Sequence, residues 1–369
     1  MGQEGQYGAS YADFYRAGRG AFPPERFLIL RPAFRFFTGE EEGKFLRCAL
    51  CPHSCSIALG KAGLCGVRYN RSGAPSLPFF GRLSALALDP IEKKPLYHFY
   101  PGSRILSAGF FGCNLACPFC QNYRISQEFR GRAAEASAAE AAGTAEEVSP
   151  EKLVSLGREA DSVGLAYTYS EPLVHFEYIA ETAARARSAG LKNVLVSNGY
   201  VSRQAAREIL EVIDAANIDV KSFSGDFYRR ELRGSLAPVL DFLECAAAKI
   251  HLEVTTLIIP GKNDSAREMK ELSSHIAALD SDIPLHLSCY RPCYKYDVPA
   301  STYENLAPLV QTAREKLRYV YPGNVTVEAN TLCPDCGSLL IHRRGYTVER
   351  SGFENGKCRA CGHKVPVVG

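Results

Sequence analysis

Three thiols crowd into one short segment, Phe111-Gly112-Cys113-Asn114-Leu115-Ala116-Cys117-Pro118-Phe119-Cys120, where Cys113, Cys117 and Cys120 are close enough for a single loop to wrap a metal cluster. No fourth cysteine follows nearby. An iron–sulfur cube normally takes four thiolates. Three therefore leave one iron open to an outside ligand, just as catalytic metal sites keep a position that structural sites close. The competing reading is a zinc ion, or a closed cluster completed by a distant cysteine.

Two further groups account for most of the other cysteines. Upstream, Cys48, Cys51, Cys55 and Cys65 follow the spacing Cys-x2-Cys-x3-Cys-x9-Cys, which offers four ligands to a closed structural site or to an auxiliary iron–sulfur cluster. Spacing does not choose the metal. His53 lies inside this group and reads as a turn residue or an outer neighbour rather than a ligand. Near the C-terminus, Cys333-Pro334-Asp335-Cys336-Gly337 and Cys358-Arg359-Ala360-Cys361-Gly362 form two knuckles, the pattern of a zinc ribbon. Tetrahedral zinc is expected there, with rubredoxin-like iron as the second choice. Such a site stabilises its module, because metal binding free energy becomes folding free energy. Cys245, Cys289 and Cys293 stand outside these groups.

Composition supports ligation over disulfides. The chain has 369 residues, 46% of them hydrophobic, and a net charge of +3 with no basic block, so electrostatics give no strong case for nucleic acid. No signal pattern and no apolar run of membrane length is visible, and the chain reads as cytoplasmic. Cytosolic reductants keep thiols reduced.

The elements that must position the first cysteine group follow a β/α rhythm. Strands are expected at Arg104–Phe110, Gly164–Tyr169, Asn193–Ser197, Asn217–Lys221, Ile250–Ile259 and Ile283–Cys289, each continuously apolar as buried parallel strands are. Ser149-Pro150 opens a helix, and Ala206, Ile209, Leu210 and Ile213 give a later helix one apolar face. The pattern predicts an α/β fold, a partial (β/α)6 TIM-like barrel. The unusual residues fall just after the strands, where such barrels gather active-site loops. The expected organisation is an N-terminal extension over 1–44, a cysteine-rich module over 45–100, the barrel over 101–330 and a zinc-ribbon- or rubredoxin-like module over 331–369. Residues 131–147 have almost nothing to bury and read as a surface segment; the first twenty or so show no periodic pattern.

With Phe119 as the aromatic residue before the last cysteine, the Cys-x3-Cys-x2-Cys segment resembles the signature of the radical S-adenosylmethionine superfamily. The resemblance covers most of residues 45–361. It is nearest to the pyruvate formate-lyase-activating-enzyme-like branch, in particular the radical enzyme of the AmmeMemoRadiSam system, through Asp89-Pro90-Ile91-Glu92-Lys93-Lys94-Pro95-Leu96-Tyr97-His98 and Cys120-Gln121-Asn122. It implies a [4Fe-4S] cluster on Cys113, Cys117 and Cys120 that chelates S-adenosylmethionine and cleaves it to a 5′-deoxyadenosyl radical, which takes hydrogen from a substrate.

The resemblance also implies that Ser170 and Glu171 contact the methionine ammonium. Ser197 and Asn198 meet ribose hydroxyls or the carboxylate, and Lys221, on one strand face with Asp219, holds the carboxylate. Arg291 stands where the branch suggests histidine, as a hydrogen-bond donor. Lys93, Lys94 and His98 read either as facing substrate or as a solvated basic patch. Implied partners are an electron donor such as flavodoxin or ferredoxin, and Memo-like and Ammecr-like proteins. The rival activities are an activase that installs a glycyl radical on a protein, a radical modification of a small molecule or RNA, and a non-catalytic metal-binding interaction protein.

Overall fold

A computed structural model describes residues 34–40, 44–131 and 146–369. The opening twenty residues lie outside them, and so does the 131–147 segment apart from its ends. An eight-stranded sheet organises the rest. Its strands are β1 (Ala85–Pro90), β2 (Arg104–Gly109), β3 (Gly164–Thr168), β4 (Lys192–Ser197), β5 (Ala215–Asp219), β6 (His251–Ile258), β7 (Leu285–Cys289) and β8 (Val320–Gly323). They lie side by side in chain order, β2 to β8 parallel and β1 antiparallel on β2. The two edge strands do not pair with each other, so the sheet is open.

The six expected strands are β2 to β7, each shifted by no more than two residues at either end. β3 is buried along its whole length, as a parallel strand covered on both faces should be. The sheet gains an edge strand on each side, β1 and β8, beyond the six expected.

Helices return the chain between the parallel strands. Ser149, Ser202 and Ser265 each accept a hydrogen bond from a backbone amide of the first turn, opening α1 (Pro150–Glu159), α3 (Arg203–Ile209) and α5 (Ala266–Leu279). The others are α2 (Phe176–Ser188), α4 (Ala237–Ala247) and α6 (Tyr303–Arg314). Ala206, Ile209, Leu210 and Ile213 are all buried as expected. The helix itself stops at Ile209, because the chain must turn into β5 at Ala215; Ile213 enters the core from that turn.

Ahead of the sheet, Phe37–Glu40, Phe45–Cys48 and Cys55–Ala58 form an antiparallel trio. It is tied to α2 by Arg68, whose guanidinium meets both oxygens of Glu177 at 2.7 and 2.8 Å, with both side chains buried. After β8, Thr331–Leu332, Leu339–Arg344 and Thr347–Arg350 form another antiparallel trio with its own core of Leu340, Ile341 and Val365. This last module closes the N-terminal end of the sheet. Val368 runs beside Phe99, and Arg343 donates to the Tyr97 carbonyl at 2.5 Å while lying over the Tyr97 ring.

Candidate active site

At the opposite end, the C-terminal ends of the parallel strands open onto a cavity of about 280 Å³. The loop after β2 carries the three cysteines into it. Its entry needs glycine: Gly112 has φ +76°, and a Cβ there would stand 2.5 Å from the Cys65 carbonyl oxygen. The loop is pinned by Ala116 N–H to the Leu232 carbonyl at 2.9 Å, by Gln127 Nε2 to the Leu115 carbonyl at 3.1 Å, and by His175 Nε2 against the Phe111 carbonyl at 2.7 Å.

Cys113, Cys117 and Cys120 all line the cavity, and no other cysteine among the described residues does. Donors already aim at their sulfurs: Leu115 N–H at 3.4 Å and the Asn198 amide at 3.7 Å on Cys113, and the Ser126 hydroxyl lies 3.2 Å from Cys120. Burial pushes the Cys113 thiol up, with Glu171 adding to it, and pushes Cys117 up to about 12 although Lys221 pulls it down. Bare, these thiols would keep their protons. A coordinated cation ionises such a thiol outright, so the set fits an iron–sulfur cluster that brings its own positive charge.

The next loops add a buried carboxyl and a partly exposed cation. Glu171, 1% exposed, follows β3. Its Oε1 accepts from the Ser197 hydroxyl at 2.7 Å and from Leu173 N–H at 3.0 Å, and its Oε2 accepts from Asn198 N–H at 2.8 Å. Burial still pushes its carboxyl up to about 7 against these three donors, so a cation at this wall would complete its environment. Lys221 follows β5, with its ammonium 2.8 Å from Asp219 Oδ2. Burial works against its charge, but Asp219 outweighs that and holds the lysine protonated. Ser170, Asn198, Asp219 and Lys221 line the cavity, as does Phe119.

Two of the expected cofactor contacts stand elsewhere. Ser197 is buried behind Glu171 and reaches the cavity only through it. Arg291 is exposed and does not line the cavity; Ser288 and Asn324 form the wall there. The loop after β7 explains the difference. Tyr294 stacks on Tyr123 with ring centroids 4.7 Å apart, and Lys295 N–H donates to the Pro118 carbonyl at 2.8 Å. The loop thus closes over the cysteine loop and leaves Arg291 outside. His98 is also remote, buried with Nε2 2.7 Å from the Tyr321 hydroxyl at the N-terminal end.

Sequence reasoning missed the roles of Tyr169 and Asp89. Tyr169 lines the cavity with φ +73°, a backbone conformation uncommon outside glycine, and its carbonyl accepts from the Asn122 amide. Its hydroxyl donates to Asp89 Oδ2 at 2.6 Å, and Lys94 reaches the same oxygen at 2.6 Å. The signal was present, since Asp89 and Lys94 share the Asp89–His98 segment and Tyr169 precedes Ser170. Nothing in the letters showed that the two segments meet.

The C-terminal cysteines form a separate candidate metal centre. All four thiols lie within 4.8 Å of one another, with Cys333 to Cys361 at 3.6 Å and Cys336 to Cys358 at 3.7 Å. Tetrahedral zinc with bonds near 2.3 Å needs sulfurs about 3.8 Å apart. The two knuckles repeat each other: Gly337 and Gly362 take φ +71° and +79°, and their amides donate to the Cys333 and Cys358 carbonyls, each at 2.9 Å.

Residues 109–272 match the family model for the radical SAM superfamily. A protein of Methanocaldococcus jannaschii, described as uncharacterized, is 37% identical over 337 residues, covering 88% of this chain and 96% of that one. The 4-hydroxyphenylacetate decarboxylase activating enzyme of Clostridium scatologenes is 27% identical over 67 residues, 18% of this chain and 22% of that one. Among solved structures, a domain of a pyruvate-formate lyase-activating enzyme from Bacteroides vulgatus aligns with a TM-score of 0.39 at 17% identity, over 44% of this chain and 99% of that one. A radical SAM methyltransferase from Sphaerobacter thermophilus aligns with a TM-score of 0.43 at 13% identity, over 64% of this chain and 70% of that one. The chain belongs to the radical SAM superfamily. No helix among the described residues is long and apolar enough to cross a membrane.

Proposed function

We propose that this protein is an enzyme that binds S-adenosylmethionine at a [4Fe-4S] cluster held by Cys113, Cys117 and Cys120 and uses it to abstract hydrogen from a substrate. The observation that carries the reading is the cavity itself, where three thiols share one wall with the buried carboxylate of Glu171 and the partly exposed ammonium of Lys221. That pairing is complementary to an amino-acid zwitterion. When bound, the cluster supplies the electron that splits the sulfonium bond of S-adenosylmethionine and so generates a 5′-deoxyadenosyl radical.

The chain's own residues supply the rest. Glu171, held by Ser197 and the Asn198 amide, receives the methionine ammonium, and Ser170 stands beside it. Lys221, oriented by Asp219, receives the carboxylate. Asn198 both donates toward Cys113 and is held by Asn114 Oδ1 at 3.0 Å, so it ties the cofactor wall to the cluster loop. Tyr169, held from behind by the buried Asp89 and Lys94, is the candidate substrate-side wall.

Within the superfamily we place the chain beside the pyruvate formate-lyase-activating-enzyme-like branch. The Asp89–His98 segment supports the AmmeMemoRadiSam reading, with Memo-like and Ammecr-like proteins as partners and flavodoxin or ferredoxin as cytoplasmic reductant. In this reading the four C-terminal thiols hold zinc and shape the module that packs on the sheet.

The test is anaerobic reconstitution, reduction, addition of S-adenosylmethionine and quantification of 5′-deoxyadenosine, beside a C113A/C117A/C120A variant. Product from the parent alone is expected. No product from a parent with an intact, reduced cluster would remove the proposal.

A further inference from the structure

Cys48, Cys51, Cys55 and Cys65 take no part in the cavity, yet the fold draws them together. Cys48 and Cys55 face each other across the antiparallel pair formed by Phe45–Cys48 and Cys55–Ala58, and Cys51 sits in the turn between them. The loop that brings Cys65 passes directly over Cys55: a Cβ on Gly63 would stand 3.6 Å from the Cys55 sulfur. All four are free thiols.

A second observation points to a ligand. N–H donors are aimed at two of these sulfurs: Arg68 Nε at Cys48, 3.3 Å away, and Leu64 N–H at Cys55, 3.5 Å away. Arg68 is 1% exposed and locked by Glu177, so its N–H is fixed on the sulfur. A thiol needs no such donor, whereas a metal-bound thiolate carries charge that N–H groups stabilise.

The N-terminal quartet is gathered less tightly than the C-terminal one. Among the described residues, the C-terminal quartet is drawn within 4.8 Å, the size of a single ion's shell. No three of the N-terminal thiols come that close, and neither do Cys113, Cys117 and Cys120. A cube, which takes each thiol on a different iron, accepts a looser set than a single ion does.

We propose that Cys48, Cys51, Cys55 and Cys65 bind a second [4Fe-4S] cluster, closed by four thiolates and joined to the loop of the first by the hydrogen bond from Cys113 N–H to the Cys65 carbonyl, 3.3 Å long. Arg130 braces the same junction through the Cys113 carbonyl at 3.0 Å. With no open iron, this cluster is a redox centre and not a binding site for S-adenosylmethionine. The site rests on its own thiols, whatever the fate of the S-adenosylmethionine reading.

The experiment measures iron, acid-labile sulfide and zinc in anaerobically reconstituted full-length protein, with EPR after reduction. The parent is expected to hold about eight irons and about eight sulfides per chain, and the C113A/C117A/C120A variant about four of each. The reduced variant should show a [4Fe-4S]+ signal that S-adenosylmethionine leaves unmoved. A C51A/C65A variant should also fall to about four irons, with a signal that does respond. Zinc in place of sulfide in the first variant, or only about four irons in the parent, overturns the proposal. The parent count decides even where a variant fails to fold. A parent with about eight irons that yields no 5′-deoxyadenosine refutes the proposed function and leaves this site standing.

Discussion

The two ends of the parallel sheet are built from the same eight strands and do opposite things. At the C-terminal end, thiols, Glu171 and Lys221 face open space. At the N-terminal end, Glu253 of β6 is buried and saturated, accepting from Tyr97 N–H at 2.9 Å, His98 N–H at 2.7 Å, and the His251 and His286 rings at 3.0 and 2.7 Å. Burial would raise its pKa, but the two histidines outweigh that and hold it well below the usual carboxylate range. Arg343 and the C-terminal module then cover this end. A buried carboxylate with its donors complete is structure, and one that burial still drives upward is waiting for a cation.

Variants at the two ends should separate these roles. The largest expected effect is at the open end: Cys117→Ala reduces 5′-deoxyadenosine to background while the melting temperature of the metal-free protein stays within a few degrees of the parent's. Next, at the closed end, Glu253→Ala leaves two amides and two imidazoles without an acceptor. It should cost about 3–5 kcal/mol in denaturant unfolding while cleavage per folded molecule is kept. Glu171→Gln should do the reverse. It removes a charged contact to the cosubstrate ammonium, costing about 10- to 100-fold in kcat/KM for S-adenosylmethionine, while the one backbone N–H or hydroxyl left facing the new amide limits the stability loss to about 1–2 kcal/mol, below that of Glu253→Ala. If Glu171→Gln destabilises as much as Glu253→Ala and leaves kcat/KM alone, the contrast between the two carboxylates is wrong.

Legibility followed the same division. β2 to β7 could be read because each is a continuous apolar run, and the loops that follow them could be read because polar residues and glycines cluster there. β8 carries Pro322 and Gly323, residues uncommon inside strands, and no strand was expected there; an edge strand tolerates that proline because it has one ladder to satisfy. Lys94 and His98 were open to a basic-patch reading, and both are buried, Lys94 on Asp89 and His98 on Tyr321. Arg291 misled because its position after β7 was readable while the fold-back that stacks Tyr294 on Tyr123 was not. Long-range pairing of this kind, like the meeting of Asp89 with Tyr169, leaves no local pattern.

The smallest effect concerns one histidine at each end. Burial lowers His98, near the closed end, to about 3, and lowers His175, beneath the cysteine loop, to about 4 although the Phe111 carbonyl pulls it back. Both are depressed below the unfolded value near 6.5. As pH falls through that value the unfolded chain takes protons the folded chain refuses, so stability is full above pH about 6.5 and declines toward the folded values. Each histidine contributes a slope of up to about 1.4 kcal/mol per pH unit between those limits. Unfolding free energies at pH 7, 6 and 5 should show the decline, and His98→Gln and His175→Gln should each remove one share of it. His175→Gln alone should also weaken iron retention, since its imidazole holds the Phe111 carbonyl at the start of the cysteine loop. Equal iron loss in both variants would mean that the two ends are not mechanically separate.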